Sequence, residues 1–303
     1  MWKYALKRIL LAIVTVFIII IITFFAMNAI PGGPFESEKA PEPSVRKALE
    51  ARYNLDKPIG EQFFIYVGNL LQGDFGISLK TGRDIATTIW TSFAISARLG
   101  GMAAAAAVAV GVILGSIAAL TRNKWPDRFI IFFTTLFVSV PSFVLATILL
   151  LVFCLQLNWF PVWDASTTAY FLPVLALALY PMSYIIRLTK SSMLDVLGQD
   201  YIRTARSKGL KEGIVIFKHA LRNALIPVIT YVGPMLAYIL TGSLVVETVF
   251  TIGGLGSKFV TSNAHRDYPM IMATTIFLAT LMVVMTLLSD LIYKAVDPQI
   301  SFD

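Results

Sequence analysis

The sequence predicts an all-α, polytopic membrane protein with six transmembrane helices. Three observations carry that expectation. The chain has 303 residues, 57% of them hydrophobic and only 14% charged, against about 25% charged in ordinary soluble domains. Its mean hydropathy is +0.75. Six runs carry no charged residue, at 9–35, 99–121, 129–163, 165–186, 223–246 and 268–289, and each reaches the ~20 apolar residues that a spanning helix needs. A segment in lipid must satisfy its own backbone, so each run is expected to be helical.

The first run follows Lys3, Lys7 and Arg8, as the apolar part of a signal peptide would. It is too long for that, and no small-x-small cleavage site follows, so a retained first span is expected. The run ends at Ile30-Pro31-Gly32-Gly33-Pro34, a strong breaker. Residues 1–30 thus form the tail and first span, and 31–98 an extracytoplasmic loop region. Within that region, 43–53 and 61–71 read as short amphipathic helices. The turn Leu55-Asp56-Lys57-Pro58-Ile59 separates them, and Gly73-Asp74-Phe75-Gly76 ends the second.

Residues 99–303 read as a core with five further spans. The second run contains five alanines after Met102, then Gly111 and Gly115. Small residues at this spacing let helices approach closely in lipid, within one chain or between two. Pro141 interrupts the third run, and Asn158-Trp159-Phe160-Pro161 separates it from the fourth, with Trp159 and Trp163 at interface level. The single Cys154 can form no intrachain disulfide and reads as a small apolar side chain. Pro173 and Pro181 lie in the fourth run. Gly233-Pro234 is the sharpest interruption, in the fifth. Around it stand Thr230, Tyr231, Tyr238 and Thr241. These six residues line a candidate pathway or gate, with a packing kink as the alternative. Glu247 and Asp290 end the fifth and sixth runs, where helix pairing or an interfacial position is expected.

Lys and Arg counts orient the spans. With the N-terminus inside, 15 of the 25 basic residues fall in inside segments, eight of them in 187–222. Eight of the ten outside fall in the long loop 31–98. Both termini are therefore expected in the cytoplasm. The net +7 is an orientation signal, and nucleic acid is not an expected partner.

Six helices with a polar path could be a channel, a carrier, an intramembrane enzyme or half of a pump. The two histidines, His219 and His265, fall in loops on opposite sides, so no base stands beside a membrane-embedded nucleophile. They are also too few for a His-built metal site. Gly253-Gly254-Leu255-Gly256-Ser257-Lys258 lacks the Gly-Lys-Ser/Thr order of a phosphate loop and reads as a turn capping the fifth span. With few buried charges, an ion-coupled carrier has little to couple with.

The stretch Asp200–Leu210 is the organising feature of the inside face. Tyr201, Ile202 and Ala205 give it an apolar side, and Arg203, Arg206 and Lys208 a basic one. Gly209 can close it as a left-handed cap. A helix of about eight residues is not stable alone, so it must dock on something.

Here the sequence resembles the permeases of ATP-binding-cassette importers, in the oligopeptide/dipeptide branch, and its first permease subunit. The resemblance rests on Asp200-Tyr-Ile-Arg-Thr-Ala-Arg-Ser-Lys-Gly-Leu210 and Lys218-His-Ala-Leu-Arg-Asn-Ala-Leu-Ile-Pro227. Further matches are Pro31-Gly32, Leu55-Asp56-Lys57-Pro58, Gly73-Asp74-Phe75-Gly76, Gly242-Ser-Leu-Val-Val-Glu247, Arg266-Asp-Tyr268 and Asp297-Pro298. Against the general importer loop only Ala205, Gly209 and Leu221 match, and Arg203 stands where that loop has Glu.

The resemblance implies a type I importer permease fold in a bacterial or archaeal plasma membrane. It implies partners: a second permease, two cytoplasmic ATPases and an extracytoplasmic peptide-binding protein. ATP would be hydrolysed by the partner subunits, with no cofactor on this chain. Arg203, Thr204, Ala205, Arg206, Gly209 and Leu210 would form the coupling helix that docks on an ATPase. A nickel or glutathione importer on the same scaffold, or a stand-alone channel or secondary carrier, remains open.

Overall fold

The computed structural model describes residues 2–30, 56–164 and 166–296, and their side chains except at 2–4, 241, 242 and 292–296. The breaker at 31–34, the helix expected at 43–53, Leu55 and Asp297-Pro298 lie outside the described residues. Within them the architecture is helical, with one isolated bridge between Ile77 and Asp84. Helix α1 is Trp2–Asn28, α2 Ile59–Leu71 and α3 Ile85–Leu120. Helix α4 is Trp125–Ser139, and α5 is Ser142–Leu149 with a π-helical extension Leu150–Gln156. Helix α6 is Phe171–Leu197 and α7 Asp200–Ser207. Three consecutive pieces, Glu212–Ile214, the π turn Val215–Ala220 and Leu221–Ala224, make α8. Then come α9 (Ile226–Gly242), α10 (Leu244–Val249), α11 (Leu255–Ala264) and α12 (Tyr268–Val296).

The largest interface joins α3 and α6. A Cβ on Gly111 would lie 2.7 Å from the Ile185 side chain, and one on Gly115 2.6 Å from Thr189 Cβ and 2.7 Å from the Ile186 carbonyl. The two glycines therefore serve contact within the chain, settling the alternative that the sequence left open. Both partners advance by four residues together, so α3 and α6 run parallel. Between two parallel spans the chain must cross back. The segment α4–α5, bent by 104° at Pro141, does that work. Among the described residues five helices are long and apolar enough to cross by themselves, and the bent pair, taken as one span, makes six. A proline kink was expected there. A near right angle was not, and it follows from a complete break at Val140, whose backbone is extended.

Contacts between side chains fix the remaining directions. Tyr184 stacks on Tyr231 and Tyr180 faces Tyr238, so α9 runs antiparallel to α6. Arg8 pairs with Asp290 at 2.9 Å, while Phe24, Tyr268 and Met272 share a cavity wall, so α1 runs antiparallel to α12. The Asp290 expectation of helix pairing is met. The α1 surface is otherwise largely exposed and apolar, the signature of a helix facing lipid.

Two boundaries differ from the apolar runs. Helix α3 begins at Ile85, ahead of Leu99. Arg98 interrupts the charge-free run but lies exposed on the helix surface, where it costs the backbone no hydrogen bond. Asp84 caps this start by accepting from Thr87 N at 2.7 Å, a contact worth about 1 kcal/mol. Helix α6 continues past Ile186 to Leu197, so it projects beyond the apolar run and carries α7 on its end.

Candidate functional site

Helix α7 is made by its ends as much as by its sequence. Asp200 occupies its first turn and Arg206 its last, each favourably placed on the helix dipole. Gly209 has φ 74°, a left-handed conformation that costs L-residues about 1–2 kcal/mol. Its N–H donates to the Arg206 carbonyl at 2.9 Å, and Leu210 N–H donates to Ala205 at 3.4 Å. This pair of bonds is a Schellman stop.

The helix is clamped from below. Ile202 is fully buried and Ala205 is 7% exposed, both packed with Ala119 of α3, Met193 of α6 and Val215 of α8. Asn223 Nδ2 donates to the Tyr201 hydroxyl at 2.9 Å. From the side, Arg206 meets Glu212 at 2.6 Å. The side-chain hydrogen bond from Arg206 holds the Glu212 carboxyl below its ordinary range, and the same bond raises the guanidinium. Both groups are solvent-exposed, so the pair orients more than it stabilises.

Of the six residues expected to dock, five present themselves outward. Arg203, Thr204, Arg206, Gly209 and Leu210 are exposed. Ala205 is the correction: it points into its own chain and fixes the helix from beneath. Tyr201, read as part of the apolar side, is 44% exposed. Beside this surface Phe217 is 72% exposed and Ile214 43%. An apolar rim thus flanks the basic helix.

The pathway candidates lie on α9. Thr230 Oγ1 donates to the Pro227 carbonyl at 2.8 Å. Pro234 removes the donor that the carbonyl four residues earlier, on Thr230, would otherwise receive. Gly233 faces Ser289 of α12 so closely that a Cβ would overlap its hydroxyl, which seats α9 directly against α12. Thr241 lies on α9, but its side chain is outside the described residues. Tyr231 and Tyr238 do converge on something, namely two tyrosines the sequence reading missed. The Tyr184–Tyr231 rings are 4.3 Å apart and the Tyr180–Tyr238 rings 6.4 Å. Tyr180, Tyr184 and Tyr238 are exposed on the chain surface. Their signal was present: two tyrosines four residues apart, astride Pro181, in an otherwise apolar run.

The far end of the bundle holds two buried carboxyls. Glu247 is fully buried. It accepts from Ser96 Oγ at 2.7 Å, from Ser243 Oγ, and from Ser257 N at 3.1 Å in the first turn of α11. Ser96 also accepts from Leu255 N at 2.8 Å. The turn expected at 253–258 is thus the start of α11, a helix within what the sequence showed only as loop. Asp267 accepts from Ser78 Oγ at 2.5 Å and Leu79 N at 3.1 Å, which ties the loop before α3 to the α11–α12 junction.

Two family models match the chain. Binding-protein-dependent transport system inner membrane component covers residues 111–302, and the N-terminal membrane component of the same system covers 1–99. The oligopeptide transport system permease protein OppB of Haemophilus influenzae is 42% identical over 306 residues, spanning 100% of both chains. The dipeptide transport system permease protein DppB of Bacillus subtilis is 45% identical, over 99% of this chain and 98% of its own. Among solved structures, inward-facing conformations of the MetNI methionine ABC transporter superpose with a TM-score of 0.56 at 17% identity. They cover 69% of this chain and 96% of theirs. An amino acid ABC transporter with histidines gives 0.52 at 16% identity, over 69% and 94%. At such identities the likeness is one of fold.

Proposed function

The chain belongs to the family of binding-protein-dependent transport system inner membrane components, and from that premise we propose how its surfaces divide the work. It is a permease subunit of an ATP-driven peptide importer, in a multi-pass membrane setting. Helix α7 is the element that takes the push of an ATPase. One observation carries this: an exposed basic helix of eight residues, too short to hold itself, is clamped by Ile202 and Ala205 onto the end of α6. Force applied to Arg203, Thr204 and Leu210 then passes into a span.

The basic end is cytoplasmic in this reading. The structure gathers Arg122, Lys124, Arg128, Arg187 and Lys190 with α7 at one end of the bundle, where the positive-inside rule puts them. The far end, with loop 73–84 and α11, receives a delivering protein. The tyrosine face of α6 and α9 meets a second permease across the path. Glycine-mediated contact between α3 and α6 leaves no lumen between them, which argues against a stand-alone channel. No catalysis is assigned to this chain; the chemistry of ATP belongs to its partners. Peptides are its cargo, since relatives at 42% and 45% identity are named for oligopeptide and dipeptide transport.

The test is a pair of variants in the assembled transporter, Gly209→Val and Arg203→Glu. The expected outcome is peptide uptake reduced at least tenfold and weaker ATPase copurification, with normal membrane insertion. Uptake and copurification at wild-type levels in both variants would remove α7 from its role.

A further inference from the structure

Between α1, α2 and α12, away from the tyrosine face, lies a cavity of about 200 Å³. A single water needs only ~10–15 Å³ of such room. Phe24, Met27, Ile65 and Met272 supply apolar wall, and Asn28 and Asn69 supply amides. Two phenols reach it, Tyr66 and Tyr268. Their hydroxyl oxygens are buried and have no hydrogen-bond partner among the described residues. Tyr268 itself is only 8% exposed. Burial pushes the Tyr66 phenol well above its usual range, so it stays a neutral donor. Two buried donors left without acceptors cost about 1–3 kcal/mol each, and the fold carries both at one cavity.

We propose that this cavity binds one molecule of membrane lipid, a zwitterionic glycerophospholipid with a primary ammonium headgroup. Its ester and phosphate oxygens accept from the two phenols. Its acyl chain follows Phe24, Met27 and Met272. Among the described lining residues the charged side chain is the carboxylate of Asp74, with no Lys or Arg. Asp74 is exposed and uses one oxygen on Gly76 N at 2.8 Å, leaving the other for an ammonium. That charge disfavours an anionic headgroup. The bilayer is the source because the cavity adjoins the lipid-facing helix: Ile22 and Phe25 of α1, and Ile30 just past its end, are exposed beside it at 60%, 44% and 44%. A short peptide shares the ammonium and carbonyl chemistry and is the competing occupant that the experiment separates.

The experiment uses the full-length chain, purified with its associated subunits and stripped of lipid. Phosphatidylethanolamine, phosphatidylglycerol and a tripeptide are each added, and retention is read by native mass spectrometry. One phosphatidylethanolamine per chain is expected, held roughly tenfold more weakly after the double change Tyr66→Phe, Tyr268→Phe. Asp74→Asn is expected to erase the preference over phosphatidylglycerol while retaining binding. Equal retention by the wild type and the double variant, preference for phosphatidylglycerol, or displacement of lipid by the tripeptide would each overturn the proposal. Phenylalanine keeps both rings in place, so a folding defect does not blur the reading.

Discussion

Lys190 Nζ lies 2.5 Å from Asp127 Oδ1, joining the far part of α6 to the first turn of α4. Asp127 is 5% exposed and also accepts from Asn123 N at 2.9 Å, where the chain turns through a positive φ of 64°. Removing Lys190 leaves the Asp127 carboxylate buried and uncompensated, a loss of roughly 3 kcal/mol, whereas removing Asp127 leaves a partly exposed ammonium and costs less. Asp127→Ala and Lys190→Met are each expected to lower the unfolding temperature clearly. The two together should cost less than their sum, read from a double-mutant cycle in thermal unfolding.

Gly115 has no room for a side chain, and Gly101 on the same helix has open space around its Cβ position. Gly115→Val should destabilise by about 1–3 kcal/mol through overpacking. Gly101→Ala should be close to neutral. Folded yield after membrane extraction separates the two.

The tyrosine face gives a test of the path. Tyr184→Ala or Tyr231→Ala is expected to cut peptide uptake several-fold while ATPase copurification stays unchanged. Phe at either position should retain most uptake if ring stacking is what matters. Loss of copurification would relocate these residues to assembly.

Acid should loosen α7. The folded Glu212 carboxyl titrates below its ordinary value because Arg206 bonds its charged form. A depressed carboxylate contributes order that is complete above the ordinary Glu pKa of ~4.3 and is lost as pH falls through the folded value. Protection factors in 200–207, corrected for the intrinsic pH dependence of exchange, should therefore hold from neutral pH down to the ordinary Glu pKa of ~4.3 and fall as pH drops further. Glu212→Gln should show the faster exchange already at neutral pH.

Much of this architecture was legible because lipid imposes long apolar runs and because basic residues gather at one end. Asp200–Leu210 was legible too, since its cap is a local device written in Gly209. What could not be read depended on side chains distant in sequence. Glu247 gave no hint of Ser96. Nor did Ala205 reveal that it faces Met193, because the apolar side of an eight-residue helix is decided by what lies beneath. Arg98 hid the start of α3, since an exposed charge on a helix face resembles a loop residue when only charge is counted. Pro141 announced a kink but not its angle, which belongs to the packing of α4 and α5 against α6.

The close seating of Gly111 and Gly115 against α6 has a mechanical consequence. Two helices meeting backbone to side chain, with no side-chain cushion, cannot slide past each other without steric collision, and they lose close packing if they splay. They act as a single stiff beam, and α7 is bolted to one end of it. Under the coupling proposed above, a push at Arg203 would arrive at the opposite end as tilt, near Ser96, whose bond to Glu247 anchors α11. Compliance must reside where the backbone ladder is weakest, at the break at Pro141 and at Pro234, where α9 stays continuous but lacks one hydrogen bond. In that proposal the length of the beam would set the stroke, and those two joints its direction.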